Sequence, residues 1–147
     1  MAHILLAADA DWVIEQVQAA LGDADTRWTV CRAGRDVVPA IARAVAAASP
    51  PDLAVLDLQI GTMGGMAVCL DMRLEQSAGR LPHIPVIMLL DRTADVFLAR
   101  RSAAEGWIVK PLEPVKLRRA ARVVMAGGRY GEHAADPVAD GANMATG

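Results

Sequence analysis

Five short runs of strand-forming residues recur along this chain, and each is followed by a segment whose apolar residues have helical spacing. The runs HILLAA, DLAVLD and IPVIMLL are apolar almost throughout. Such strands are typical of a parallel sheet covered on both faces, because a one-sided sheet would alternate apolar and polar residues. The predicted strands are residues 3–8, 27–32, 52–57, 84–90 and 107–109. The pattern predicts an α/β fold with a doubly wound, five-stranded parallel sheet and right-handed crossovers.

Each helical segment carries one apolar face, as a helix packed against a sheet requires. Val13, Val17 and Ala20 share a face of the first helix, and Leu117 and Val124 share a face of the last one. The periodicity ends near residue 126. We therefore expect one folded domain over residues 1–126 and a flexible tail over residues 127–147.

The composition limits the classes of function that this chain can serve. Of its 147 residues, 54% are hydrophobic and 22% are charged, which is typical of a globular domain. The net charge of −2 gives no general attraction to nucleic acid or to an anionic membrane, so we expect neither as a direct partner. The chain starts without a basic leader and has no apolar run of bilayer length, so we expect a cytoplasmic protein. Cys31, Cys69 and the histidines lack metal-ligand spacing, and we expect two free, buried thiols.

Charged side chains follow three of the predicted strands at the point where each strand ends. Asp57 ends the third strand, Asp9 follows the first, and Lys110 follows the fifth. Open parallel sheets bind ligands outside the carboxyl ends of their strands, so these groups meet at one edge if their strands are neighbours. Two carboxylates suit Mg²⁺, and the metal and the lysine together suit a phosphoryl group transferred to a carboxylate oxygen. Asp57 is the predicted nucleophile of that transfer.

Over roughly residues 2–125 the chain resembles a response-regulator receiver domain of two-component signalling. The segments that carry the resemblance are LDLQIGTMGG around Asp57 and IPVIMLL followed by GWIVKPL. The resemblance implies a flavodoxin-like strand order of 2-1-3-4-5 and phosphorylation of Asp57 by a partner histidine kinase or phosphotransfer protein. It implies that Asp9, Asp57 and the backbone carbonyl of Gln59 hold Mg²⁺ and that Lys110 contacts the phosphoryl group. The peptide bond before Pro111 is implied to be cis.

The chain departs from the family pattern at four positions around this site. Ala8 stands where the family has the first of two adjacent acids, which leaves Asp9 and predicts weak Mg²⁺ binding. Leu90 replaces the Thr or Ser whose hydroxyl binds the phosphoryl group, and Asp91 follows where a small residue is usual. The Asp91 carboxylate has two open interpretations: it repels an incoming phosphoryl group, or it faces solvent. Gly61 replaces the usual proline after the acceptor and still permits a turn.

The resemblance also implies a switch and a surface for a downstream protein partner. Leu90 and Trp107 occupy the two switch positions. The partner surface is implied to be the fourth helix, fifth strand and fifth helix, where basic residues gather: Arg100, Arg101, Lys116, Arg119 and Arg122.

Three functions remain open from the sequence, and none of them is that of an enzyme. The first is an atypical, single-domain receiver that accepts a phosphoryl group on Asp57 and signals through protein contacts. The second is a pseudo-receiver that binds partners independently of phosphorylation, which Ala8 and Leu90 favour. The third is a flavodoxin-like binder of a small molecule, which the lack of a glycine-rich phosphate loop after the first strand disfavours.

Overall fold

The computed structural model describes residues 2–61 and 63–131. They form a parallel sheet of six strands in the order β2-β1-β3-β4-β5-β6. This confirms the predicted α/β fold and the order 2-1-3-4-5. The strands are β1 (His3–Ala7), β2 (Arg27–Cys31), β3 (Leu53–Asp57), β4 (Val86–Leu90), β5 (Gly106–Val109) and β6 (Tyr130–Gly131).

Five α-helices cover the two faces of the sheet. They are α1 (Asp11–Leu21), α2 (Val37–Ala46), α3 (Gly65–Ser77), α4 (Val96–Arg101) and α5 (Pro114–Met125). Buried residues of α1 and α5 form one core with one face of the sheet, and those of α2, α3 and α4 form a second core with the other. Alternate strand residues serve the two cores, so Ile4 and Leu6 pack with α1 and α5 while Leu5 and Ala7 pack on the opposite side. This double burial explains why these strands are apolar throughout.

The sixth strand differs from the five-stranded prediction. Tyr130 and Gly131 pair in parallel with Gly106 and Trp107 and so extend the sheet beyond β5. Two residues are too few to give a periodic pattern, so they fall within the tail that the sequence predicts. The rest of that tail, residues 132–147, lies outside the described residues. No helix in the described part of the chain is long and apolar enough to cross a membrane.

Both cysteines are free and buried, as predicted. Burial raises the pKa of the Cys31 thiol and also that of the Cys69 thiol. Cys69 donates its S–H to the carbonyl of Ser102 at 3.1 Å. Both side chains therefore act as small core residues.

Close packing of α3 against the end of β3 fixes the position of Asp57. A Cβ atom added at Gly65 would lie 2.7 Å from the Asp57 carbonyl oxygen and 2.9 Å from Leu58 Cα. Both neighbours are backbone atoms and cannot rotate away. Gly65 therefore permits a helix to begin directly beside the strand that carries the acid.

We expect Gly65→Ala to lower the free energy of unfolding by about 1–3 kcal/mol, because the methyl group overpacks a rigid contact. Gly64→Ala is the matched control, since a Cβ there would lie 3.4 Å from its nearest neighbour, at ordinary contact distance. Urea denaturation of both variants and the parent measures the difference. Equal stability of the two variants would contradict the close approach at Gly65.

Candidate functional site

The carboxyl edge of the sheet brings Asp57 and Lys110 into direct contact. Asp57 is the last residue of β3, and Lys110 follows β5 on the far side of β4. Lys110 Nζ lies 3.1 Å from Asp57 Oδ1 and 3.2 Å from Oδ2. The peptide bond between Lys110 and Pro111 is cis, as the resemblance predicted. The sequence prediction that these two charged groups meet is confirmed.

The Asp57 carboxylate is almost entirely removed from solvent. Its side chain is 3% exposed and that of Lys110 is 12% exposed. Besides the lysine, the backbone N–H of Gln59 donates to Asp57 Oδ1 at 3.1 Å. A buried carboxylate is stable only when it is paired and hydrogen-bonded, so the loop after β3 and the lysine after β5 together stabilise and orient the Asp57 side chain.

Asp9 lies at the same edge, after β1, and contacts the loop that follows Asp57. The N–H of Gly61 donates to Asp9 Oδ2 at 2.9 Å. β1 is the immediate neighbour of β3, so the structure places Asp9 on the strand end next to that of Asp57. The proline usual at position 61 has no N–H and could not form this bond. From the sequence, Gly61 is predicted only as a turn residue. The contact with Asp9 was not predicted, because a backbone N–H leaves no mark in the sequence.

The oxygen donors at this edge match Mg²⁺ in type and are few in number. Asp9 and Asp57 carry carboxylate oxygens, the hard donors that Mg²⁺ prefers, and the resemblance adds the backbone carbonyl of Gln59 as a predicted third ligand. Ala8, where the family has another acid, is fully buried and contributes no ligand. Within the described ranges, no group of three or more His, Cys, Asp or Glu side chains is placed to hold a metal ion.

Lys110 has further neighbours that the sequence analysis did not assign to it. Asp91 Oδ1 lies 2.9 Å from Lys110 Nζ, closer than either oxygen of Asp57. The Trp12 ring centroid lies 5.4 Å from the same nitrogen, within the range of a cation–π interaction. Asp91 follows β4, which lies between β3 and β5, and the strand-end reasoning that grouped the other acids would also have placed it here.

The two predicted switch positions, Leu90 and Trp107, lie in the hydrophobic core. Leu90 is fully buried and Trp107 is 5% exposed, and both belong to the core that packs against α2, α3 and α4. The Arg100 guanidinium lies 5.5 Å from the Trp107 ring centroid. Leu90 offers no hydroxyl, so at this position the chain has apolar packing where the family has a hydrogen bond to the phosphoryl group.

The residues of the predicted basic partner surface are mostly exposed. Arg100, Arg101 and Arg119 are exposed on α4 and α5, and Lys116 forms an ion pair with Glu113 at 3.8 Å. Phe97 on α4 and Val115 on α5 are exposed apolar side chains of the same helices. Arg122 is also exposed on α5 and lines a groove of about 680 Å³ between the ends of α1 and α5.

Comparison with known proteins settles the family. Residues 4–122 match the model of the response regulator receiver domain. The chain belongs to this family. Among curated proteins it is 31% identical over 129 residues to the DNA-binding transcriptional activator DevR/DosR of Mycobacterium tuberculosis, which covers 86% of this chain and 56% of the activator. It is 30% identical over 137 residues to the transcriptional regulatory protein CseB of Streptomyces avermitilis, covering 92% of this chain and 52% of CseB.

The receiver also resembles solved structures over most of its length. The chemotaxis protein CheY4 of Vibrio cholerae superposes with a TM-score of 0.67 at 25% identity, covering 84% of this chain and 98% of CheY4. A two-component response regulator of the LuxR family from Aurantimonas superposes with a TM-score of 0.73 at 19% identity, covering 88% and 89%. The receiver spans about half the length of DevR/DosR and CseB and 28% of the response regulator MtrA of Mycobacterium tuberculosis.

We expect Lys110→Met to lower the free energy of unfolding by about 1–3 kcal/mol, because it leaves the buried Asp57 carboxylate without its cation. Lys116→Met is the control, since an exposed ion pair contributes about 0–1 kcal/mol. Urea denaturation of each variant measures the effect. Adding Asp57→Asn to Lys110→Met removes the unpaired charge and is expected to restore part of the loss. Failure of the double variant to recover stability would contradict the proposed pairing.

Proposed function

We propose that this receiver accepts a phosphoryl group on Asp57 and passes the signal on through contacts with other proteins in the cytoplasm, acting as a signalling domain and not as an enzyme. The observation that carries the proposal is the contact of Lys110 Nζ with both oxygens of a buried Asp57 at the carboxyl edge of the sheet. A lysine in this position neutralises charge that a phosphoryl group brings to the carboxylate. Membership of the receiver family supports the same assignment.

The transfer requires a donor that already carries the phosphoryl group, and we propose a phosphohistidine of a histidine kinase or phosphotransfer protein. One oxygen of Asp57 attacks the phosphorus atom, and the phosphorus–nitrogen bond of the donor breaks. The electron pair leaves with the imidazole, which takes up a proton from solvent. Asp57 becomes an acyl phosphate, and the Lys110 ammonium neutralises part of its charge.

Asp9, Asp57 and the Gln59 carbonyl are the residues that would hold Mg²⁺ at this site. The ion supplies charge neutralisation for the phosphoryl oxygens when it is bound. With Ala8 in the adjacent position, we expect its affinity to be low. The chain's own contributions are to hold Asp57 at the end of β3 and to bring Lys110 beside it.

The first test is the mass of the intact protein after incubation with acetyl phosphate and Mg²⁺. We expect the parent chain to gain the mass of one phosphoryl group and the Asp57→Asn variant to gain none, because an amide cannot replace the carboxylate nucleophile. Repeating the reaction without Mg²⁺ measures how far the ion assists. An adduct on both proteins would place the modification elsewhere and contradict the assignment of Asp57.

A phosphorylation-independent interaction module is the second candidate, and two observations favour it. Leu90 is buried and apolar where the family's switch needs a hydroxyl, and the Lys110 ammonium already has a second carboxylate partner in Asp91. In this case the partner surface works without the phosphoryl group. Absence of any adduct on the parent, with both acetyl phosphate and a phosphorylated histidine kinase as donors, would favour this candidate.

We propose the exposed face of α4 and α5, with Arg100, Arg101 and Arg119, as the surface that binds a downstream protein. Exposed Phe97 adds an apolar contact beside these charges, a mixture common in protein interfaces. The names of the relatives DevR/DosR and MtrA describe DNA-binding proteins, and that property is theirs. For this chain we propose contact with proteins and no direct contact with nucleic acid or membrane.

We expect Arg119→Glu to weaken binding of such a partner by about tenfold or more, because the change reverses a charge at the interface. Arg35→Glu is the control, since Arg35 is an exposed arginine of the segment between β2 and α2, outside α4 and α5. The partner is first isolated by its binding to the parent chain. Its affinity for each variant is then measured by titration. Equal loss for both variants would point to net charge, and no loss for Arg119→Glu would exclude it from the interface.

A further inference from the structure

The Lys110 ammonium is shared between two carboxylates, and one of them, Asp91, stands where the family usually has a small residue. Asp91 Oδ1 lies 2.9 Å from Lys110 Nζ, while the two oxygens of Asp57 lie at 3.1 and 3.2 Å. The Trp12 ring covers another side of the same ammonium, with its centroid 5.4 Å away. An ammonium has only three N–H donors, and the three carboxylate oxygens accept from them. A phosphoryl oxygen would have to displace one of these acceptors to bind Lys110.

The other cation near Asp91 has its own partner. Arg92 Nη2 pairs with Asp95 Oδ1 at 2.9 Å, and Asp95 is buried. The adjacent guanidinium is therefore paired with Asp95, the residue that directly precedes α4. Lys110 is the cation with which Asp91 forms an ion pair within the described residues.

We propose that Asp91 is an internal ligand of Lys110, which occupies the place of a phosphoryl oxygen in the unphosphorylated chain and must release the lysine when Asp57 is phosphorylated. This inference rests on the proposed function of Asp57. It replaces both earlier interpretations of Asp91, since the carboxylate neither points away into solvent nor acts by repulsion alone. Asp91 is a positioning residue, because it acts on the reacting group through Lys110.

Exposure and charge decide which of the two acids gives way. The Asp91 side chain is 37% exposed, whereas that of Asp57 is 3% exposed. Asp91 can rotate into water at small cost, and Asp57 cannot. Phosphorylation converts the Asp57 carboxylate into an acyl phosphate, which adds about one unit of negative charge and strong acceptor oxygens beside Lys110, so it both repels the Asp91 carboxylate and competes for the ammonium. Phosphorylation of Asp57 thus replaces the Asp91 carboxylate with a phosphoryl oxygen as the partner of the Lys110 ammonium.

The exchange predicts that removing the Asp91 charge speeds phosphorylation. We expect Asp91→Asn to gain the phosphoryl group from acetyl phosphate roughly tenfold faster than the parent, since a charge pair near a protein surface contributes about that factor. Asp91→Ser provides a second variant with the same charge change. Asp25→Asn is the matched control, because Asp25 precedes β2 at the opposite edge of the sheet and loses the same charge. Asp57→Asn reports any modification at another site.

A second readout follows Lys110 itself. The chain contains two lysines, Lys110 and Lys116, so NMR of protein labelled with ¹³C-lysine gives two resolved sets of ε-methylene signals. We expect Asp91→Asn to move the Lys110 signal and leave the Lys116 signal in place, and we expect Asp25→Asn to move neither. A role of Asp91 in folding alone would not select one lysine.

The outcomes separate this inference from the proposed function. Faster phosphorylation of both Asp91 variants with a shifted Lys110 signal supports the inference, as does an adduct that forms on these variants and not on the parent. Equal rates in the parent and the Asp91 variants overturn the inference and leave the proposed function standing. A Lys110 signal unchanged by Asp91→Asn also overturns it, whatever the rates. Absence of an adduct on every protein, with acetyl phosphate and with a phosphorylated histidine kinase as donors, overturns the proposed function and the inference together.

Discussion

The buried ion pair between Asp57 and Lys110 is the interaction on which the rest of the site depends. A carboxylate that is 3% exposed at the end of a strand is costly unless a cation and a donor reach it. Lys110, which follows β5, supplies the cation, and the N–H of Gln59, which follows β3, supplies the donor. The pair joins the ends of β3 and β5 across β4 and supplies the buried Asp57 carboxylate with a cation.

Much of this arrangement could be predicted from the sequence, because parallel strands impose a simple geometry. Apolar runs with acids at their ends predicted both the sheet and the edge at which Asp9, Asp57 and Lys110 gather. What could not be predicted were contacts decided by side-chain direction and by single N–H groups. The bond from Gly61 to Asp9 needs a particular loop conformation, and β6 arises from a two-residue pairing that leaves no periodic signal.

The departures from the family pattern belong together physically. Leu90 extends the core at a position where a hydroxyl would reach the phosphoryl group, and the next residue, Asp91, supplies an anion to the lysine instead. Trp107 packs in the same core as Leu90 and lies beneath the Arg100 guanidinium. Apolar packing therefore extends from the end of β4 to α4, and the Lys110 ammonium at the sheet edge is already paired with Asp91.

The hydrogen bond between Gly61 and Asp9 has a thermodynamic consequence of its own. The Asp9 carboxylate is a candidate cation ligand and also accepts the hydrogen bond that anchors the loop after Asp57. Cation binding and loop anchoring therefore use the same carboxylate. Linkage is reciprocal, and whatever shifts one equilibrium shifts the other by the same free energy. A glycine where proline is usual thus provides an N–H that binds Asp9. Through this bond, the conformation of the loop after Asp57 is coupled to cation binding by the Asp9 carboxylate.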